Sequence, residues 1–447
     1  MNKEAAQYEK MTQTPVQKLI VTLSIPTIIS MLVSNIYNLV DTAFVGKLGN
    51  SASGAVGVVF GFMAILQAIG FMFGQGSGSI ISRNLGRKDS LEASRVASTA
   101  FFSALFLAFI TEIICLVFLH PLVMGLGSTD TIAPYAETYI FYILLASPFL
   151  VTSLTLNNIL RYEGKAVLGM IGLMTGAVLN ICGDAILMFG FNMGIKGAGI
   201  STAVSQTVSF MILLSMFLRG KTSCEISIRY FRLKKEFLDI ITTGFPSLLR
   251  QGLNSLTTVL LNMEAAVYGD AAVAAMSIVS RIIFFTFSIA IGIGQGFQPV
   301  SGFNYGAGRY DRVKKGYCFT IALAEVLLII LGFVLLIAPD DLIRIFRDDA
   351  EVIEIGTRAL MLNGVAQLVL PFCMVTEMLF QSTGKKLAAT ILSGSRNGIF
   401  FIPILLILAH TRGLAGIQEA QPLAHFISVI PAIIFAVMFF KKLPKTD

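Results

Sequence analysis

Residues 24–49 read SIPTIISMLVSNIYNLVDTAFVGKLG. With the apolar residues before it, this run exceeds the roughly 20 residues that a helix needs to cross about 30 Å of hydrocarbon. Apolar and polar residues do not alternate along it, so it is not a lumen-facing barrel strand. One face is nevertheless polar. Ser30, Ser34, Tyr37 and Asp41 follow i, i+4, i+7, i+11 spacing, with Asn38 beside them. A carboxylate inside a bilayer costs roughly 2.5–3.5 kcal/mol on insertion scales, so Asp41 needs a reason.

Working outward, similar apolar runs recur along all 447 residues. Hydrophobic residues make up 55% of the chain and charged residues only 13%, against about 25% charged in soluble domains. A soluble fold could not hide that much apolar surface. We expect twelve spans, at 16–45, 54–80, 96–120, 134–160, 167–189, 198–218, 238–264, 272–299, 315–338, 355–382, 387–409 and 421–440. The cationic N-terminal segment before the first span, and the length of that span, favour a retained helix over a cleaved signal peptide. Most of the 33 Lys and Arg residues fall on the N-terminal side of these spans. Lys47, Lys196, Arg344, Arg347 and Arg412 fall on the other. The positive-inside rule then predicts a multi-pass protein of a bacterial cytoplasmic (inner) membrane with both termini cytoplasmic. It also accounts for the net charge of +7, so no nucleic-acid partner is expected.

The chain aligns with itself at a shift of 220 residues. Pro26 falls on Pro246, Gly49 on Gly269, and Gly74-Gln75-Gly76 on Gly294-Gln295-Gly296. Asn84 and Gly86 fall on Asn304 and Gly306, and Gly164-Lys165 on Gly384-Lys385. Six spans per half is an even number, so both halves keep one orientation, a parallel repeat about an axis along the membrane normal. The expected organisation is an all-α membrane protein of two six-helix bundles related by a pseudo-twofold. They would comprise 1–218 and 238–447, joined by a cytoplasmic linker at 219–237.

The polar intruders group by height. Asp41 and Asp184 lie near the outer ends of outward-running spans; Tyr139 and Thr202 lie near the outer starts of inward-running ones. Asn180 precedes Asp184 by one helical turn. One outer cluster with two carboxyls is expected in the first half. Two such groups close together in low dielectric should not both be ionised, so the cluster suits uptake of a proton. Alternatively, Asp41, Asn180, Asp184 and Thr202 could hold Na⁺, since hard cations prefer oxygen. The matching positions of the second half are apolar: Leu261 for Asp41, Phe400 for Asn180 and Ile404 for Asp184. Asn38, Tyr37, Ser34, Gln206, Asn254 and Arg281 are further candidates to line a substrate path. Glu112 and Glu325 are weaker ones. Glu377, toward the cytoplasmic end of span ten, is most simply solvated, and His425 is read as lying near an outer end.

No GxxxxGK[ST] loop, nucleophile motif or metal-type spacing of Cys and His is present. An ATP-driven pump, an enzyme and a cofactor are therefore not expected.

The opening stretch, GQGSGSIISRNLGRKD (74–89), NNILRYEGK (157–165) and GAVLNICGDAILMFG (176–190) together resemble the MATE (multidrug and toxic compound extrusion) transporters, nearest the DinF-like and MepA-like bacterial branch. The resemblance covers essentially the whole chain. It implies a V-shaped pair of six-helix lobes. It also implies a secondary active efflux antiporter that exchanges amphipathic, often cationic, organic compounds for H⁺ or Na⁺, acts as a monomer, and contributes to antibiotic resistance. It further implies a cation site at Asp41, Asn180 and Asp184, with Tyr139 and Thr202 nearby. The NorM-like branch has acidic residues deep in helices seven and ten. Here Asn254 stands in helix seven, which favours coupling in the first lobe. A lipid-linked saccharide flippase of the wider superfamily is the alternative.

Overall fold

The computed structural model describes residues 3–233 and 235–444. It is helical throughout, with no strand among the described residues. The membrane-spanning helices are α1 (Val16–Gly46), α2 (Asn50–Gly86), α3 (Ser90–Val117), α4 (Ala133–Tyr162), α5 (Ala166–Gly190) and α6 (Gly194–Leu218). They continue as α7 (Lys235–Ala266), α8 (Asp270–Gly306), α9 (Tyr310–Ile337), α10, α11 (Lys386–Arg412) and α12 (Leu414–Lys442). The tenth comes in two pieces, Ala350–Ala366 and Leu370–Ser382, bent by 54°. Pro371 sits in the first turn of the second piece. Its ring would collide with a carbonyl four residues back and it has no N–H to give, so the helix restarts there. α7 is long enough to span but is too polar to be recognised by hydropathy alone.

The helices pack into two compact units. One contains the residues up to Gln13 together with Ile29–Leu248; the other contains Thr14–Ile28 and the residues from Leu249 onward. This division departs from a simple cut at 219–237. The start of α1 goes with the second unit, and the start of α7 goes with the first. Both transitions fall at equivalent points of the repeat, Ile28 and Leu248, each two residues after an intrahelical proline, Pro26 and Pro246.

Glycines explain why these segments seat where they do. In the first unit, a Cβ on Gly244 of α7 would lie 1.9 Å from the Met72 carbonyl oxygen of α2, and one on Gly76 would lie 2.3 Å from that of Ile240. In the second, a Cβ on Gly296 of α8 would lie 2.2 Å from Ser24 Oγ of α1. Ser24 donates to the Ile293 carbonyl at 3.2 Å. Gly76 and Gly296 are the repeated glycines of the GQG tripeptides. Only a residue without a side chain lets the backbones approach this closely.

The first unit also fastens the linker. Glu163, fully buried, accepts from Ser223 N at 2.8 Å, from Cys224 N at 3.0 Å and from Lys165 Nζ at 2.9 Å. Ser94, Ser98 and Thr99 of α3 accept from Glu225, Ser227 and Arg232 backbone N–H groups. The short amphipathic helix Lys3–Gln13 docks on the same end. Gln7 Nε2 donates to the Glu163 carbonyl, and Met11 is wholly buried.

Candidate functional site

Within the first unit, α4 is the most enclosed span. Some 72% of its membrane window is buried, against 28% for the peripheral α3. Tyr139 projects from this central helix and is 1% exposed. Its phenol donates to Asp41 Oδ2 of α1 at 3.0 Å. Thr202 of α6 lies near the same phenol, and it accepts from Asn180 Nδ2 of α5 at 3.1 Å. Ser201 Oγ donates to the Asn180 backbone carbonyl at 2.9 Å. Asp184 follows one turn along α5, is fully buried, and feels the charge of Asp41. The five residues grouped by height in the sequence therefore form one continuous cluster drawn from α1, α4, α5 and α6.

The helix carrying Asn180 and Asp184 is irregular at this place. Immediately after Asp184, residues Ala185–Gly190 form a π-turn. Such turns displace the helical ladder and recur at functional sites. Gly183 permits close packing here, since a Cβ on it would lie 2.5 Å from Ser201 Oγ.

Hydrogen bonding in the cluster is incomplete. Asp41 Oδ1, Asn180 Oδ1 and both carboxylate oxygens of Asp184 are buried and have no donor. Buried acceptors are ordinarily paired, and each lone one costs free energy. Four together form a site short of positive charge or of donors. Oxygens of this kind fit H⁺ or a hard monovalent cation.

Ser34, Tyr37, Asn38 and Gln206, also in the first unit, are half-buried. In the second unit Asn254 is half-buried and Arg281 is exposed.

Two sequence readings are corrected in the second unit. Glu377 is not solvated. It is 4% exposed and accepts from Arg250 Nη1 at 2.6 Å. A buried guanidinium takes the place that water was assigned. His425 lies eleven residues into α12 rather than near an outer end, and it is buried, at 6% exposure. Arg396 of α11 went unnoticed altogether, although it is buried beside these groups. Comparing charged residues across the repeat would have exposed all three. Arg396 matches Gly176, Glu377 matches Asn157, and His425 matches Ser205.

The MatE family model matches residues 26–186 and matches again over 246–407, beginning at equivalent positions of the repeat. The chain belongs to the MatE family. Each copy of the MatE match holds one half of the internal duplication. The multidrug export protein MepA of Staphylococcus saprophyticus is 30% identical over 431 residues, covering 94% of this chain and 93% of that protein. Its Staphylococcus aureus counterpart is 28% identical over 442 residues, covering 96% of each. Among solved MatE structures, an outward-facing multidrug resistance MATE family transporter of the MOP superfamily superposes with a TM-score of 0.92. It is 26% identical and covered over 98% of both chains. The twelve-span, two-bundle MatE architecture is therefore that of this membrane protein.

Proposed function

We propose that this MatE chain is a secondary active efflux transporter that exports amphipathic, often cationic, organic compounds in exchange for H⁺ or Na⁺. The carrying observation is the set of four donor-less buried oxygens on Asp41, Asn180 and Asp184. A proton on either carboxyl converts an acceptor into the O–H donor that the cluster lacks. Na⁺ would instead be held by the same oxygens with Thr202 Oγ. Either cation removes uncompensated negative charge from a low-dielectric interior. The cluster's charge state then depends on whether it last faced a cation-rich or a cation-poor side, which is the requirement for gradient-driven exchange. Tyr139 and Thr202 orient the carboxyl and the amide. Ser34, Tyr37, Asn38 and Gln206 of the first unit remain candidates for substrate binding, as do Asn254 and Arg281 of the second. The names of the multidrug export relatives support this reading over a saccharide-lipid flippase. The Lys and Arg excess on one side of the spans supports a bacterial cytoplasmic membrane with both termini on its cytoplasmic side.

The test is ethidium efflux in proteoliposomes, with pH and Na⁺ gradients imposed separately. One gradient should drive transport. Asp41→Asn and Asp184→Asn should each lower gradient-driven efflux at least about tenfold while the protein remains monodisperse in detergent. Undiminished driven transport by Asp41→Asn would refute the assignment.

A further inference from the structure

We propose that the second unit holds a binding site for a small singly charged anion, a halide or a carboxylate, at the side chain of Arg396. This site is distinct from the cation cluster of the first unit. Arg396 lies ten residues into α11, about 15 Å along the helix from Lys386, in a π-turn formed by Ser395–Phe400. It is 6% exposed. Its Nε donates to Asn397 Oδ1 at 3.2 Å, and its guanidinium lies over the Phe287 ring of α8, 4.5 Å from the centroid. Nη1 is buried and has no acceptor. A guanidinium carries five N–H donors and cannot be neutralised by losing a proton at ordinary pH, so a buried unfilled donor on it calls for an acceptor.

The surroundings do not supply the missing negative charge. Glu377 is near, but it is engaged by Arg250 at 2.6 Å. Two guanidinium groups therefore share one carboxylate inside the membrane. His425 of α12 and Cys373 of α10 stand within the field of Arg396. Cys373 Sγ pairs with Ser428 Oγ at 3.4 Å. Glu325 of α9 lies on the Cys373 side and is half-buried. Among the described residues no ion pair joins it to either guanidinium. A buried charge without a partner is strongly unfavourable. A mobile monovalent anion on Nη1 completes the hydrogen bonding and brings the Arg250–Glu377–Arg396 set to neutrality.

The repeat argues that this is a built feature. The equivalents of Arg250, Glu377, Arg396 and His425 in the first half are Ser30, Asn157, Gly176 and Ser205, all neutral. The acidic cluster of the first half is likewise apolar in the second. The Arg250–Glu377–Arg396 set belongs to the second half alone, and the Asp41–Asp184 cluster to the first.

The test uses the purified full-length protein in detergent at constant ionic strength, with gluconate as the bulky reference anion. One arm titrates chloride, with equilibrium binding of radioactive chloride and thermal unfolding as readouts. The other titrates formate, which distinguishes a carboxylate ligand from a halide. Wild type should bind at least one of the two saturably, near one per chain, and unfold at a higher temperature as that anion is added. Arg396→Met should weaken binding about tenfold or more, because the charged donor is gone. Glu377→Gln should tighten it several-fold by removing the competing negative charge, a sign that a purely structural arginine would not produce. If wild type shows no saturable chloride or formate binding, the proposal is overturned. It is equally overturned if Glu377→Gln weakens binding or Arg396→Met retains it.

Discussion

A single side chain decides how much of the first-unit cluster is preorganised. Thr202 is the acceptor that holds the Asn180 amide, so Thr202→Val should release that amide without changing any charge. Losing one buried hydrogen bond is worth about 1 kcal/mol. The driving-ion concentration for half-maximal efflux should rise several-fold, with the maximal rate much less affected. Efflux rates over a series of imposed ion gradients measure this. At the same scale, the cluster was legible in the sequence because its members obey helical spacing and share a height. An apolar counterpart 220 residues away marked each carboxyl as specialised. Glu377 was not legible, because an acid near a span end is normally hydrated. Nothing in its local sequence announces Arg250, 127 residues earlier in the chain, as its partner.

At the scale of elements, the two most consequential distortions are π-turns, one following Asp184 and one containing Arg396. No residue pattern in either segment forecasts an extra residue in the turn. The long apolar runs did forecast the spans. α7 fails a hydropathy test, yet it was read at 238–264 with the other spans, and its register with α1 at the 220-residue shift agrees. Its glycines separate close packing from ordinary helix chemistry. Gly244→Ala places a methyl group against the Met72 carbonyl, backbone that cannot swing away, and should cost at least 1–3 kcal/mol in stability, roughly the range for overpacking. Gly252→Ala, on the same helix with open space around it, should be neutral or stabilising by about 0.5–1 kcal/mol. Thermal unfolding of the two variants side by side provides the comparison.

For the molecule as a whole, charge asymmetry across the spans predicts where the chain ends. A green fluorescent protein fused after residue 447 should fluoresce, and an alkaline phosphatase fused at the same point should be inactive. The reverse pair of results would invert the topology. The twofold repeat was readable because one unbroken offset carries it from Pro26 to Lys385. The composition of the packed units was not, since close backbone approach leaves only scattered glycines as its trace. That composition has a consequence for biogenesis. Residues 14–28 are synthesised among the first and belong to a unit whose other helices emerge more than two hundred residues later. The groove at Gly76 likewise stays uncovered until the ribosome has made α7. The nascent first half therefore reaches the bilayer before the partners of residues 14–28 and the segment that packs on Gly76 have been made. A ribosome that stalls in the linker leaves a product that cannot close its own packing, and it should be a preferred substrate for membrane quality-control proteases.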